Sequence, residues 1–183
     1  MKITAIIPTR GDVDVSPITR HLRTYPEIGH ILVVASDTPY SRYVWAAMAE
    51  TDLIYTQDDD CLTDVSILID AWKDDDVILN AMTREHAAQY PGAQTLLGFG
   101  ALFFRALIQE TFTLSWTADQ LFLRESDRIF ATVNPHVTVF PKIEILPHAN
   151  APNRLWKQPD HLSSRAAMNR RIFEKTGIEA GCL

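Results

Sequence analysis

Apolar residues in the first half of the chain come in short, nearly unbroken runs, at residues 3–7, 31–35, 53–56 and 77–81. A strand with one wet face would alternate apolar and polar positions. Unbroken runs of Ile, Val and Leu instead predict parallel strands buried on both faces. The stretches between them carry helical spacing. Val65, Leu68, Ile69 and Trp72 recur at i, i+3, i+4 and i+7, with Thr63 placed as the N-cap. Thr38 and Pro39 read as a cap and a first-turn proline, opening a helix lined on one face by Tyr40, Val44, Ala47 and Met48. Strand and helix in alternation predict an α/β fold with a mostly parallel central sheet flanked by helices.

The pattern then changes. Residues 83–95 are polar and broken by Pro91-Gly92, so they predict a loop. A glycine-flanked apolar strand follows over residues 98–104, then a helix over 105–111. Another helix starts near Thr117, where Thr117 and Gln120 have the spacing of a capping box. Two more strands are expected at 129–133 and 137–145, and a last helix at 159–175 closed by Gly177. No repeat, low-complexity tract or long linker divides the chain. One domain over residues 1–183 is expected, with 150–183 as a C-terminal helical segment placed to cover a ligand.

Composition narrows the class of protein. A length of 183 residues suits one domain with a real core. No apolar run approaches the roughly 20 residues of a membrane span, and the N-terminus passes straight into the first strand. Cys61 and Cys182 have no metal or redox spacing, which favours free thiols and a cytoplasmic protein. The net charge of −6 argues against indiscriminate nucleic-acid binding. That charge is uneven: residues 154–175 hold six Lys/Arg against two acids, while acids gather mid-chain.

The acids point to chemistry. Asp58, Asp59 and Asp60 follow the apolar run 53–56 directly. Three adjacent carboxylates repel one another and are tolerated in open water or beside a cation. Hard oxygen ligands at a strand end suit Mg²⁺ or Mn²⁺ and a phosphate-bearing substrate; an acidic turn is the plain alternative. In an open α/β sheet, ligands bind beyond the carboxyl ends of the strands. Those ends here carry Pro8, Thr9 and Arg10, then Asp37, then the acidic triplet. Arg10 and Asp37 on that rim can serve a nucleotide's base or ribose, or act as a surface ion-pair partner and a helix cap.

The order Ile6-Ile7-Pro8-Thr9-Arg10, Asp58-Asp59-Asp60, the run from Gly98 to Phe104, and Trp116-Thr117-Ala118-Asp119-Gln120 resembles the GT-A glycosyltransferases. The resemblance implies a Rossmann-like sheet, a nucleotide-sugar donor, and Mn²⁺ or Mg²⁺ on a D-x-D-type motif. By it, Asp60 is the metal ligand, Asp58 reaches the ribose or metal, and Asp59 is the less constrained middle position. His148 or His161 adds a histidine ligand. Asp119 is the base that deprotonates the acceptor hydroxyl. Gly98 and Gly100 let backbone approach the sugar, Trp116 stacks on a sugar face, and Gln120 lies beside the acceptor. Arg154, Lys157 and Arg165 reach the donor diphosphate from the C-terminal segment. The chain is short for such an enzyme, which leaves the acceptor open among a small molecule, a glycan, a protein and a modified DNA base. A nucleotidyltransferase is a weaker alternative, because only Gly11 follows the first strand where a glycine-rich phosphate loop is needed. A non-catalytic sugar-nucleotide-binding protein and a metal-dependent nuclease complete the alternatives.

Overall fold

The computed structural model describes residues 2–73, 77–89, 97–114 and 116–180. The elements run β1 (Ile3–Thr9), α1 (Ser16–Leu22), β2 (Ile28–Ala35), α2 (Ser41–Ala47), β3 (Leu53–Thr56), β4 (Cys61–Thr63), α3 (Ser66–Ala71), β5 (Ile78–Ala81) and α4 (Arg84–Gln89). They continue with β6 (Ala101–Phe104), α5 (Ala106–Thr113), α6 (Gln120–Val133), β7 (His136–Val139), β8 (Ile143–Ile145) and α7 (His161–Thr176). Six strands form the central sheet in the order β2-β1-β3-β6-β5-β7. β6 is antiparallel to both of its neighbours and the other pairs are parallel. β4 and β8 form a separate antiparallel pair.

The apolar runs of β1, β3 and β5 are explained by cover on both faces of the sheet; the run at 31–35 is not, because β2 is the edge strand and only Val34 of that run is buried. Ile3, Ala5 and Ile7 of β1 point into a cluster with Ile18 and Leu22 of α1 and Leu68 of α3. Ile6 points the other way, into a cluster with Tyr43 of α2, Leu107 of α5 and Phe130 of α6. A third cluster, Phe122 and Ile129 against Met168 and Ile172, docks α7 on α6. Among the described residues no helix is long and apolar enough to cross a membrane.

Several local expectations are corrected. Residues 129–133 are not a strand; they end α6, because Phe122, Ser126, Ile129 and Phe130 keep one helical face buried over the whole element. The expected strand at 98–104 begins only at Ala101, after a 3₁₀ turn over Leu97–Phe99. The expected strand at 137–145 is two, split before Ile143 and assigned to different sheets. Thr63 lies in β4, and the Asp64 carboxylate accepts from the Ser66 amide at the start of α3 instead. Asp119, not Thr117, caps α6 by accepting from the Phe122 amide at 2.8 Å. Residues 84–89 of the expected loop are helical, and Pro91-Gly92 and Cys182 lie outside the described residues.

The largest correction concerns α2, which begins at Ser41. Its buried face is Arg42, Tyr43 and Ala46, while Val44 and Met48 are exposed. Of the expected face, Val44, Ala47 and Met48 look outward while Tyr40 packs on the core, and ion pairing holds Arg42 inside.

Candidate active site

A cleft of about 760 Å³ opens at the carboxyl ends of β1, β2 and β3. That volume suits a small-molecule ligand, and the place is the one expected for an open α/β sheet. One rim is Pro8, Thr9 and Arg10 after β1; a second is Asp37 after β2; the acidic triplet after β3 forms the floor. The kinked part of α6 and residues 153–165, which include the start of α7, close the other side.

The triplet is held by a dense set of bonds. The Asp58 amide donates to the Gly98 carbonyl at 2.9 Å, and the Leu146 amide donates to the Asp60 carbonyl at 2.8 Å. The buried Gln57 side chain donates to the Cys61 carbonyl at 2.6 Å, bracing the turn from inside. The three carboxylates then separate in role. Asp58 Oδ1 accepts from Arg42 at 2.5 Å. Asp59 is 3% exposed, and its Oδ1 accepts from Arg154 at 2.7 Å. It is therefore the most tightly tied of the three, not the least constrained. Asp60 has no such partner. Burial, and then the neighbouring Asp58 charge, push it up to about 6.

This donor set fits a hard divalent ion. Asp60 is a half-buried carboxylate without a salt-bridge partner among the described residues, and Asp58 Oδ2 has no hydrogen-bond partner among them. His148 Nε2 donates to the Asp59 carbonyl at 2.7 Å, which leaves Nδ1 for a ligand. Among the described residues, no group of three or more His, Cys, Asp or Glu is arranged to hold an ion alone. An ion here needs oxygens from the substrate, the usual mode for Mg²⁺ with phosphates.

The cleft gathers Pro8, Thr9, Arg10, Asp37, Asp58, Asp59, Asp60, Gly98, Arg154, His161 and Arg165. Asp119, Gly100, Trp116, Gln120, His148 and Lys157 do not line it. Asp119 is occupied elsewhere. Besides capping α6, it pairs with Arg171 through both oxygens, at 3.0 and 2.8 Å. The Arg171 bonds, then the Phe122 amide, bring it down to about 2, which makes it a weak base. Trp116 donates to the Thr111 carbonyl and stacks under Lys175. Lys157 lies over the Trp156 ring and donates to the Asn150 carbonyl. His161 belongs to the α6–α7 wall, where its neighbours are Arg124, Asp160 and Arg165.

Both glycines make room for protein, not sugar. A Cβ on Gly98 would stand 2.5 Å from Asp58 Oδ2. Gly100, at φ +129°, would put its Cβ 2.7 Å from the Tyr55 hydroxyl. Asp58 is short and already held by Arg42, so it cannot swing away without breaking that pair. Gly98→Ala is expected to cost ~1–3 kcal/mol by overpacking; an unchanged midpoint in urea unfolding would show that the carboxylate relaxes freely.

Arg42, Asp127, Arg124 and Glu125 are among the cleft residues not found from sequence. Arg42 is 2% exposed and bridges Asp58 to Asp127, the latter at 3.3 Å. Asp127 also accepts from the Tyr43 hydroxyl at 2.7 Å, and burial raises its carboxyl. Arg124 pairs with Asp160 at 2.6 Å. Glu125 sits at the kink of α6, with φ −109° and ψ 20°. It is 4% exposed, and burial outweighs Arg165 and Arg124 to push it up to about 7. One signal was available: Phe122, Glu125, Ser126, Ile129 and Phe130 fall on one helical face, which places an acid among core positions. Asp119→Ala is expected to leave the cleft intact and to lower stability by ~1 kcal/mol, the worth of a helix cap. Denaturant unfolding checks this, and loss of ligand binding in that variant would contradict it.

No family model and no curated protein sequence matches this chain. Solved structures do match it. A mannosyltransferase, PcManGT from Pyrobaculum calidifontis, in complex with GDP-Man and Mn²⁺, aligns at TM-score 0.58 and 14% identity, covering 93% of this chain and 64% of that one. A glycosyltransferase involved in the glycosylation of the major capsid of PBCV-1 aligns at TM-score 0.51 and 9% identity, over 94% of this chain and 99% of the other. TarS from S. aureus aligns at TM-score 0.50 and 14% identity, over 96% of this chain but 40% of its own length. At such identities the likeness is one of fold. The fold is that of the GT-A glycosyltransferases.

Proposed function

We propose that this protein is a glycosyltransferase that moves a sugar from a nucleoside-diphosphate sugar to a hydroxyl acceptor, with Mn²⁺ or Mg²⁺. The observation that supports this best is the acidic turn 58–60 opening into an arginine-lined cleft at the carboxyl edge of a GT-A sheet. Thr9, Arg10 and Asp37 take the nucleoside part of the donor. Asp60 and Asp58 Oδ2 would hold the ion, and His148, bonded to the Asp59 carbonyl, lies behind them. The bound ion offsets the negative charge that grows on the departing nucleoside diphosphate. Arg10 and Arg154 border the same phosphates.

Glu125 replaces Asp119 as the general base. It lines the cleft, its Oε1 has no hydrogen-bond partner, and a carboxyl near 7 is matched to proton transfer at neutral pH. A hydroxyl placed against Glu125 passes its proton to the carboxylate as its oxygen bonds the anomeric carbon. The bond from that carbon to the diphosphate breaks, and the nucleoside diphosphate leaves.

The test is calorimetric titration of UDP- and GDP-sugars with and without Mn²⁺, paired with release of nucleoside diphosphate. Binding is expected to need Mn²⁺ and to fall about tenfold or more in Asp60→Asn. If the folded wild-type protein binds none of a broad donor panel with Mn²⁺ present, the proposal is wrong.

A further inference from the structure

The wall formed by α6 and α7 has its own character. Arg124 and Glu125 lie on α6; His161 and Arg165 lie one turn apart on α7; all four line the cleft. Polar nitrogens here lack hydrogen-bond partners. Arg124 Nε and Nη2, Arg165 Nε and His161 Nδ1 are buried without a hydrogen-bond partner, and His161 is only 8% exposed. The α7 N-terminus adds more. Asp160 stands at its N-cap but makes no side-chain bond to the helix; its carboxylate goes to Arg124. The first-turn amides of a 16-residue helix therefore have no side-chain cap, and the positive end of the helix dipole lies at the cleft.

Asp160 takes only Arg124 Nη1, and Glu125, the other carboxylate beside these nitrogens, does not satisfy them. Its Oε1 lies 3.7 Å from Arg124 Nε and its Oε2 lies 3.9 Å from Arg165 Nε, both beyond hydrogen-bond reach. Unused guanidinium and imidazole nitrogens at a helix N-terminus call for a compact group of several oxygens bearing negative charge.

We infer that Arg124, His161, Arg165 and the first turn of α7 form a second anion subsite, which takes a phosphate group carried by the acceptor. This rests on the glycosyltransferase reading above. In that reading the donor diphosphate is held by the ion at Asp60 with Arg10 and Arg154. The proposed base, Glu125, shares the α6–α7 wall and must lie against the acceptor hydroxyl. An anion bound beside Glu125 therefore belongs to the molecule that gives up the proton. The acceptor class is a phosphorylated sugar or polyol, and the field of the two arginines steers it to the base.

The subsite can be read without turnover. Inorganic phosphate is titrated calorimetrically into wild-type protein already saturated with Mn²⁺ and the nucleoside diphosphate that binds best. Phosphate is expected to bind, to weaken tenfold or more in Arg165→Gln and in Arg124→Gln, and to be partly restored in Arg165→Lys. Nucleotide affinity is expected to stay within twofold in all three, with unchanged circular dichroism. Displacement of phosphate by nucleotide would assign the site to the donor and overturn the inference. Binding indifferent to both Gln variants would mark an adventitious ion only, and also overturns it. If no nucleoside diphosphate binds at all, the glycosyltransferase reading fails on its own. In that case the same titration of nucleotide-free protein still reports whether the anion site exists. A tenfold lower KM for phosphorylated than for dephosphorylated acceptors completes the expected result.

Discussion

Glu125→Gln is expected to lower turnover by about 10²–10⁴-fold, the usual worth of a positioned general base. The amide keeps the shape of the side chain but accepts no proton. Wild-type activity should rise as pH increases through about 7, because the base must be ionised and burial holds it near that value. The variant should lose that inflection. Stability should move the other way. The folded state keeps the Glu125 proton up to about 7, whereas the unfolded chain releases it near the ordinary value of 4.5. Between those values the native state binds more protons, so this group's contribution to stability falls as pH rises. Glu125→Gln removes the penalty, and a gain on the order of 2 kcal/mol at pH 8, absent at pH 4, is expected from urea unfolding. A variant with wild-type turnover, or an unchanged pH profile, would remove Glu125 from the mechanism.

Arg42→Gln is expected to be the most damaging change outside the catalytic base. Arg42 is 2% exposed and neutralises two carboxylates, Asp58 and Asp127. Removing one member of a buried ion pair costs about 3–5 kcal/mol, because the partners stay behind uncompensated. The side chains of Asp58 and Asp127 are 42% and 29% exposed, so water relieves part of that cost and the low end of the range applies. The loss is a large share of the 5–15 kcal/mol that ordinarily separates folded from unfolded protein. The site should suffer too: Asp58 freed from Arg42 no longer presents Oδ2 in a fixed place, and Mn²⁺ affinity should fall about 10–100-fold. Arg42→Lys keeps the charge but not the fork, and should fall between. A loss below about 1 kcal/mol in Arg42→Gln would mean that the triad is solvated in solution and carries no structural weight.

The errors in reading α2 and α6 share a cause. Apolar periodicity identifies the buried face of a helix only when burial is hydrophobic. On α2 the buried face contains Arg42, held in place by acids 16 and 85 positions further along the chain. On α6 it contains Glu125, beside Arg165 of α7. Local sequence cannot reveal partners that distant. Asp119 is ambiguous for the related reason that a carboxylate at a helix start serves equally as cap, ion-pair partner or base. The pair with Arg171, on a different helix, shows that the first two roles are filled.

What the chain determined by itself was the strand framework. Continuous apolar runs at β1, β3 and β5 demanded cover on both faces, and strand ends carrying Thr9, Arg10, Asp37 and the triplet marked the edge where a ligand would sit. Those signals are local and read directly from residue order. Tertiary structure alone decided which charges compensate each other. It tied Asp59 to Arg154 and Asp58 to Arg42, left Asp60 without an ion-pair partner among the described residues, and brought Glu125 rather than Asp119 to the cleft. The physical reason is that burying a charge is costly unless a partner lies within a few ångströms, and that partner comes from wherever the fold brings one close.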